Sequence, residues 1–301
     1  MRKFNNEVYE PLIDDLIYES FYIENRTIRG KIATVRQYSE IIIRKIFDIP
    51  ETEKVMLGMP LISNKIQTTK NSLLINSVNT IRKYGNDNTH TQKTLKPTEE
   101  DLHNVLNALM NLYSYLFIQY FEKYRFGSNV FVMDSFSLLP PIIRYITLQY
   151  LYINDKDNPA IIYRYILAIL KAQNKDSAIK FIEDEKEHLQ KVVHWSKEEI
   201  KLINSIPALK QSLPQNMYEY CLEKLENVSQ ILDENGKLYI TFEEALPYYE
   251  ELGHIFGNTD EVNEFNSIME FCYIGRHKKK NYKDIKSYKV LNCSNIKSGR
   301  K

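Results

Sequence analysis

Ile81-Arg82-Lys83-Tyr84-Gly85-Asn86-Asp87-Asn88-Thr89-His90 is the stretch on which the reading of this chain turns. An apolar helical run leads into it, and a second long one starts a few residues later. Gly85 is one of only 9 glycines in 301 residues. Glycine and asparagine reach left-handed backbone conformations at least cost, so Gly85-Asn86 is expected to end the first helix. Arg82 then falls on the last turn of that helix, with His90 just beyond, near the start of the next. A cation and a titratable imidazole at a helix junction suit the binding of a phosphate and the movement of a proton beside it. Taken on spacing alone, the same residues also read as a helix C-cap followed by a capping histidine.

Working outward, Val8, Leu12, Ile13, Leu16, Ile17 and Phe21 recur at helical spacing and predict an entry helix over 5–24. Ile28, Ile32, Val35, Ile42 and Ile46 predict a second over 28–48. On it Arg36, Glu40 and Arg44 lie four apart. They read either as a solvated i,i+4 ion-pair ladder or as a row that carries Glu40 or Arg44 to the 82–90 junction. Pro50 and Pro60 bracket a linker. Residues 61–84 then read as one broken helix or two short ones, with Leu61, Ile62, Ile66, Leu73, Leu74, Val78 and Ile81 inward. After the junction, Thr98 is placed as an N-cap ahead of Glu99-Glu100-Asp101, where the helix dipole favours acids. That helix runs to about Arg125 with Leu102, Val105, Leu106, Leu109, Leu112, Leu116 and Tyr120 as its core face. Residues 1–128 are therefore expected to form a small antiparallel bundle.

The β-branched run Asn129–Asp134 reads as a strand or an extended linker and marks the expected domain boundary. Helical patterns resume over 135–154, 159–173, 176–193, 196–206, 214–232, 241–256 and 260–276. The expectation is an all-α chain whose second helical domain spans 129–275. The pair over 159–193 reads as a tight hairpin, but no period repeats along the chain as a solenoid requires.

A chain of 301 residues exceeds one typical core, and 9 glycines with 10 prolines argue against a turn-rich all-β fold. Cys221, Cys272 and Cys293 form no CxxC pair. Their odd number, with no secretion signal at the N-terminus and no apolar run long enough for a membrane span, predicts a reduced, cytoplasmic chain. The net charge of +1 is uneven. From Arg276 to Lys301 there are ten Lys or Arg against the single acid Asp284, +9 in all, which leaves −8 for residues 1–275. This basic tail, with Arg276, Lys278, Lys279 and Lys280 at its root, reads either as a solubilising end or as an arm for an anionic partner, RNA first.

Asp233, Asn235, Ile240 and Glu244 sit at calcium-loop positions, but Gly236 is misplaced for the sharp turn and Lys237 opposes an ion, so a connector is the reading. The six histidines lack zinc-site spacing, and no phosphate-binding loop, dinucleotide fingerprint or nucleophile elbow is present. Neither a metal nor a cofactor is expected.

The order of these features resembles the HEPN superfamily of small helical nuclease and nucleotide-binding domains, in particular a branch attached to restriction and phage-defence proteins. The resemblance covers about residues 28–126. It rests on Val35–Ile46 with Arg44-Lys45, on Leu61–Ile66, and above all on Ile81–Asn86 with His90 following. Seven residues separate Arg82 from His90 and six separate Lys83 from His90, against four to six in the family. The resemblance implies a metal-independent, toxin-like ribonuclease acting in antiviral defence, with two Arg–His pairs lining one homodimer cleft. On it, His90 would move the proton, Arg82 would neutralise the scissile phosphate, and Asn86 would hold the phosphate or orient the imidazole. Lys83, Arg44, Arg276 and Lys278–Lys280 would contact RNA. The alternative from a different class is a non-catalytic dimerising module that holds a protein partner through residues 129–275, in a phage-defence or counter-defence complex.

Overall fold

The computed structural model describes residues 4–89, 94–193, 205, 213–236 and 239–277. Among them every regular element is helical, so the fold is all-α. In chain order the helices are α1 (Asn6–Ile17), continued by a π-helical turn (Tyr18–Tyr22), α2 (Ile28–Phe47), α3 (Pro60–Thr68), α4 (Ser72–Thr89), α5 (Glu99–Lys123), α6 (Val130–Phe136) and α7 (Pro141–Asn154). They continue with α8 (Pro159–Ala172), α9 (Lys175–Asp184), the single turn α10 (Lys186–Leu189), α11 (Met217–Asn235), α12 (Phe242–Leu252) and α13 (Asp260–Tyr273).

The chain divides into two compact units, and the first is discontinuous. It takes the N-terminal residues up to Arg125, then Phe131–Leu138, then 242–277 of the described residues. The expected self-contained bundle over 1–128 is therefore incomplete. Its central element is α5. From Leu112 to Ile118 every residue of α5 is buried, and a helix that is buried all round needs cover on every side. α2 and α4 supply part of this cover, and α13 supplies another part from more than a hundred residues away. Phe265 of α13 packs its ring against Phe117 at 6.0 Å and Tyr120 at 5.1 Å. Phe271 meets Phe4 at 5.8 Å and stacks on Tyr38 at 6.5 Å.

Several local expectations hold. Thr98 caps α5 in a reciprocal capping box with Asp101. Residues 61–84 do break in two, at Lys70, which takes a left-handed φ of 53°. Others do not hold. Residues 129–134 are neither strand nor linker. Residues 130–134 belong to α6, because Val132, Met133 and Phe136 are buried there, with Phe136 edge-on to Phe117 at 5.6 Å and to Phe121 at 5.2 Å. Packing of this kind overrides β-propensity. Val8, Leu12 and Leu61, placed inward by periodicity, face outward.

The second unit comprises residues 126–130 and 139–241 as far as they are described. Asn158, Asn174 and Asn216 cap α8, α9 and α11 through their side-chain oxygens, and Pro141 and Pro159 open α7 and α8 where a missing N–H costs nothing. α8 and α9 form the expected hairpin. Tyr165 of α8 stacks with Tyr145 and Tyr152 of α7, and Tyr152 and Tyr165 meet Phe181 edge-on. The calcium-like positions Asp233 and Asn235 lie inside α11, which excludes them from a loop. Among the described residues no helix is long and apolar enough to cross a membrane.

The discontinuity has a direct test. Phe265→Ala is expected to lower unfolding stability by about 3–5 kcal/mol, as for other buried aromatic truncations. A fragment ending at residue 128 should lose the near-ultraviolet dichroism of the aromatic core. A fragment that unfolds as cooperatively in urea as the full chain would contradict the two-part core.

Candidate functional site

Gly85-Asn86 does not end a helix. α4 continues through both residues to Thr89. Gly85 is there because α2 passes close by. A Cβ on Gly85 would lie 3.0 Å from Arg36 Cγ and 3.1 Å from Arg36 Cβ, with Arg36 Cδ closer still. The Arg36 stem lies across the glycine, and its Nη1 donates to Thr89 Oγ1 at 3.2 Å. Thr89 in turn donates back to the Gly85 carbonyl at 2.8 Å, and Asn88 donates to the Tyr84 carbonyl at 2.8 Å. The last turn of α4 is thus fastened by its own side chains and by a cation from α2, where the helix dipole favours positive charge.

Arg82 and Asn86 stand four residues apart on α4, one turn after the other on the same face. Arg82 is half-buried and donates to Asn79 Oδ1 at 3.2 Å, while Asn86 is exposed. Lys83 is exposed, with its ammonium 5.5 Å from the Tyr84 ring centre. Tyr84 OH accepts from Asn104 of α5 at 3.4 Å. His90 and Lys278–Lys280 lie outside the described residues. Arg82, Asn86, Thr89 and Arg36 therefore come together at the end of α4.

The row on α2 is not an ion-pair ladder. Arg36 serves Thr89, Glu40 accepts from the Leu57 N–H at 3.2 Å, and Arg44 donates to the Pro50 carbonyl at 2.8 Å while stacking near Tyr9. Burial raises the Glu40 carboxyl above its ordinary range, against the pull of the Leu57 N–H and of Arg36 and Arg44. Arg44 thus pins the 48–58 loop, and Arg36 is the member that reaches the site. The signal for it in the sequence was the pairing of an arginine on α2 with a glycine on α4, which only a known helix crossing reveals.

Arg276 is a second correction. It belongs to the core and not to the basic tail. Its side chain is fully buried, between the rings of Phe21 and Phe242 at 5.0 and 4.6 Å. Nη1 pairs with Glu243 Oε1 at 3.0 Å, and Nη2 donates to Tyr113 OH at 3.0 Å. Tyr22 OH donates to the same Glu243 oxygen at 2.7 Å, and Tyr113 OH is in turn hydrogen-bonded to Tyr38 OH. Burial works to raise the Glu243 carboxyl, but Arg276 and the Tyr22 hydroxyl outweigh it and hold the carboxyl below its ordinary value. No surface of Arg276 is left to meet a phosphate.

Among the described residues no group of three or more His, Cys, Asp or Glu is placed to hold a metal ion. Burial pushes the thiols of Cys221 and Cys272 up to about 12, which makes them unreactive packing groups. No protein family, curated protein or solved structure matches the chain.

Two outcomes follow from this geometry. Gly85→Val forces the Arg36 stem aside and is expected to cost about 1–3 kcal/mol in urea unfolding, the usual penalty of overpacking. The lowered carboxyl of Glu243 contributes stability that is present above its ordinary value of 4.5 and is lost as pH falls through its depressed folded value. Wild type should therefore exceed Glu243→Gln in melting temperature at neutral pH, and the gap should close in acid. A gap that is constant from neutral pH to well below 4.5 would show that the pair contributes no pH-dependent stability.

Proposed function

We propose that the first unit is a HEPN-type module that cleaves RNA without a metal, through 2′-hydroxyl attack, in a homodimer cleft. The observation that carries this reading is the unbroken run of α4 to Thr89. It sets Arg82 and Asn86 on one face, and Arg36 holds in place the last turn, which ends one residue before His90 in the sequence. In this reading His90 takes the proton from the ribose 2′-hydroxyl or gives one to the leaving 5′-oxygen. Arg82 neutralises the charge that builds on the phosphate, with Asn86 as a second donor. The hydrogen bond from Arg82 to Asn79 is exposed and its acceptor is an uncharged amide, so a phosphate, which brings its own negative charge, displaces it readily. The products are a 2′,3′-cyclic phosphate and a 5′-hydroxyl, and DNA is not a substrate because it lacks the nucleophile. The lysines after residue 277 add salt-sensitive affinity.

A second reading, a non-catalytic interaction module of a phage-defence or counter-defence complex, has its own observation. Arg36 and Arg82 are both engaged within the fold, at Thr89 and Asn79, and fasten α4 without any ligand. The partner surface then falls within the second unit, since 242–277 belongs to the core of the first.

RNA cleavage distinguishes them. Arg82→Ala and His90→Ala are each expected to slow the cleavage of total RNA or transfer RNA by about 10²–10⁴-fold, the range for a lost acid–base or charge-stabilising group. EDTA should leave the rate unchanged. Removal of 278–301, which spares Arg276, should weaken binding chiefly at low salt. RNA left intact by the purified protein at low salt, together with a stoichiometric partner retained by His90→Ala, would decide for the interaction module.

A further inference from the structure

A cleft of about 360 Å³ opens in the first unit between the C-terminal end of α2, one face of α5 and α13. Its size falls within the range of small-molecule sites. Along α5 it is lined by Leu116, Gln119 and Lys123, which share a face at helical spacing, and Phe4 and Ile268 add apolar walls. Two of the charges on it, Lys45 and Glu264, are of opposite sign and largely buried. Lys45 is 9% exposed, and its ammonium donates to Asn6 Oδ1 at 2.8 Å and to Ser267 Oγ at 2.7 Å while lying 5.1 Å from the Phe4 ring centre. The Glu264 side chain is 18% exposed and accepts from Lys123 at 2.8 Å.

Ser267, which holds the Lys45 ammonium, and Glu264 are one turn apart on α13, an axial rise of about 4.5 Å. A buried cation held at one of these positions and a mostly buried carboxylate at the other, beside an apolar wall, match the two adjacent charges and the side chain of one kind of ligand. We propose that the cleft binds a free α-amino acid with an apolar side chain. Its carboxylate meets Lys45 and the Gln119 amide, its ammonium meets Glu264, and its side chain lies against Phe4 and Ile268. Asp48, which accepts the Phe4 N–H at 2.9 Å, fixes that ring at the cleft wall, and Glu270 steadies Asn6 from behind. Low-dielectric walls strengthen both charge contacts relative to the surface.

The full chain is titrated calorimetrically with L-leucine, N-acetyl-L-leucine and L-leucinamide, and its melting temperature is followed in parallel. L-leucine should bind saturably and raise the melting temperature by a few degrees at saturation. Each blocked analogue, which lacks one charge, should bind at least ~10-fold more weakly. Gln119→Trp, a half-exposed position whose enlargement fills the cleft without entering the core, should abolish binding with the dichroism spectrum unchanged. Glu264→Gln should weaken L-leucine but not N-acetyl-L-leucine. The proposal is overturned if no apolar L-amino acid binds at about 10 mM, if a blocked analogue binds as tightly as L-leucine, or if Gln119→Trp leaves binding intact.

Discussion

The buried ion pair between Arg276 and Glu243 is the constraint on which the first unit closes. Through one guanidinium it ties the start of α12 to α5 at Tyr113, and through Glu243 it reaches the π-helical turn at Tyr22. Taking two charges out of water costs several kcal/mol per ion, and their attraction in the interior repays this only with good geometry and further hydrogen bonds. Here the bonds to Tyr22 and Tyr113 and the two aromatic faces over Arg276 supply what the pair alone lacks. An apolar pair of similar volume would fill the same space. It would not specify which segments must meet, and in a unit assembled from three separate pieces of chain that specification matters more than net stability.

The same logic explains why helix α13 is remote in sequence and central in space. α5 is buried on every side over Leu112–Ile118, so the helices that precede it leave one side uncovered. Phe265 on α13 covers that side, Phe271 packs on Tyr38 of α2, and Lys45 is fixed between Asn6 and Ser267. The cleft beside Lys45 lies where the C-terminal ends of α2 and α5 meet α13, which arrives from far along the chain.

What the sequence made legible was local. The capping box at Thr98, the break between α3 and α4, and the α8–α9 hairpin each rest on residues within a few positions of one another. What it concealed was non-local. Arg276 stands at the head of a basic run and reads as part of it, since nothing near it announces Glu243, 33 residues back. Residues 129–134 read as extended because Val130, Phe131 and Val132 favour strands, yet Phe136 and its neighbours gain more by packing on Phe117 and Phe121. Of the predicted site, Arg82 lies on α4 as expected, Asn86 lies inside the helix it was expected to end, and Arg36 could not be found without the crossing of α2 and α4.

Gly85 illustrates how one residue carries two incompatible local meanings. In isolation it is a helix terminator, with a propensity penalty of about 1 kcal/mol against alanine. In the fold it is the only side chain small enough to let the Arg36 stem pass, and the helix continues for another turn with Arg36 fastened to Thr89. This changes the geometry at the end of α4. A helix ending at Gly85 would leave Arg82 in its last turn and His90 several loop residues away. With α4 continuing to Thr89, Arg82 and Asn86 share one face of an unbroken helix whose last turn Arg36 fastens. The glycine that looked like a hinge after Arg82 is instead the place where the Arg36 stem crosses α4.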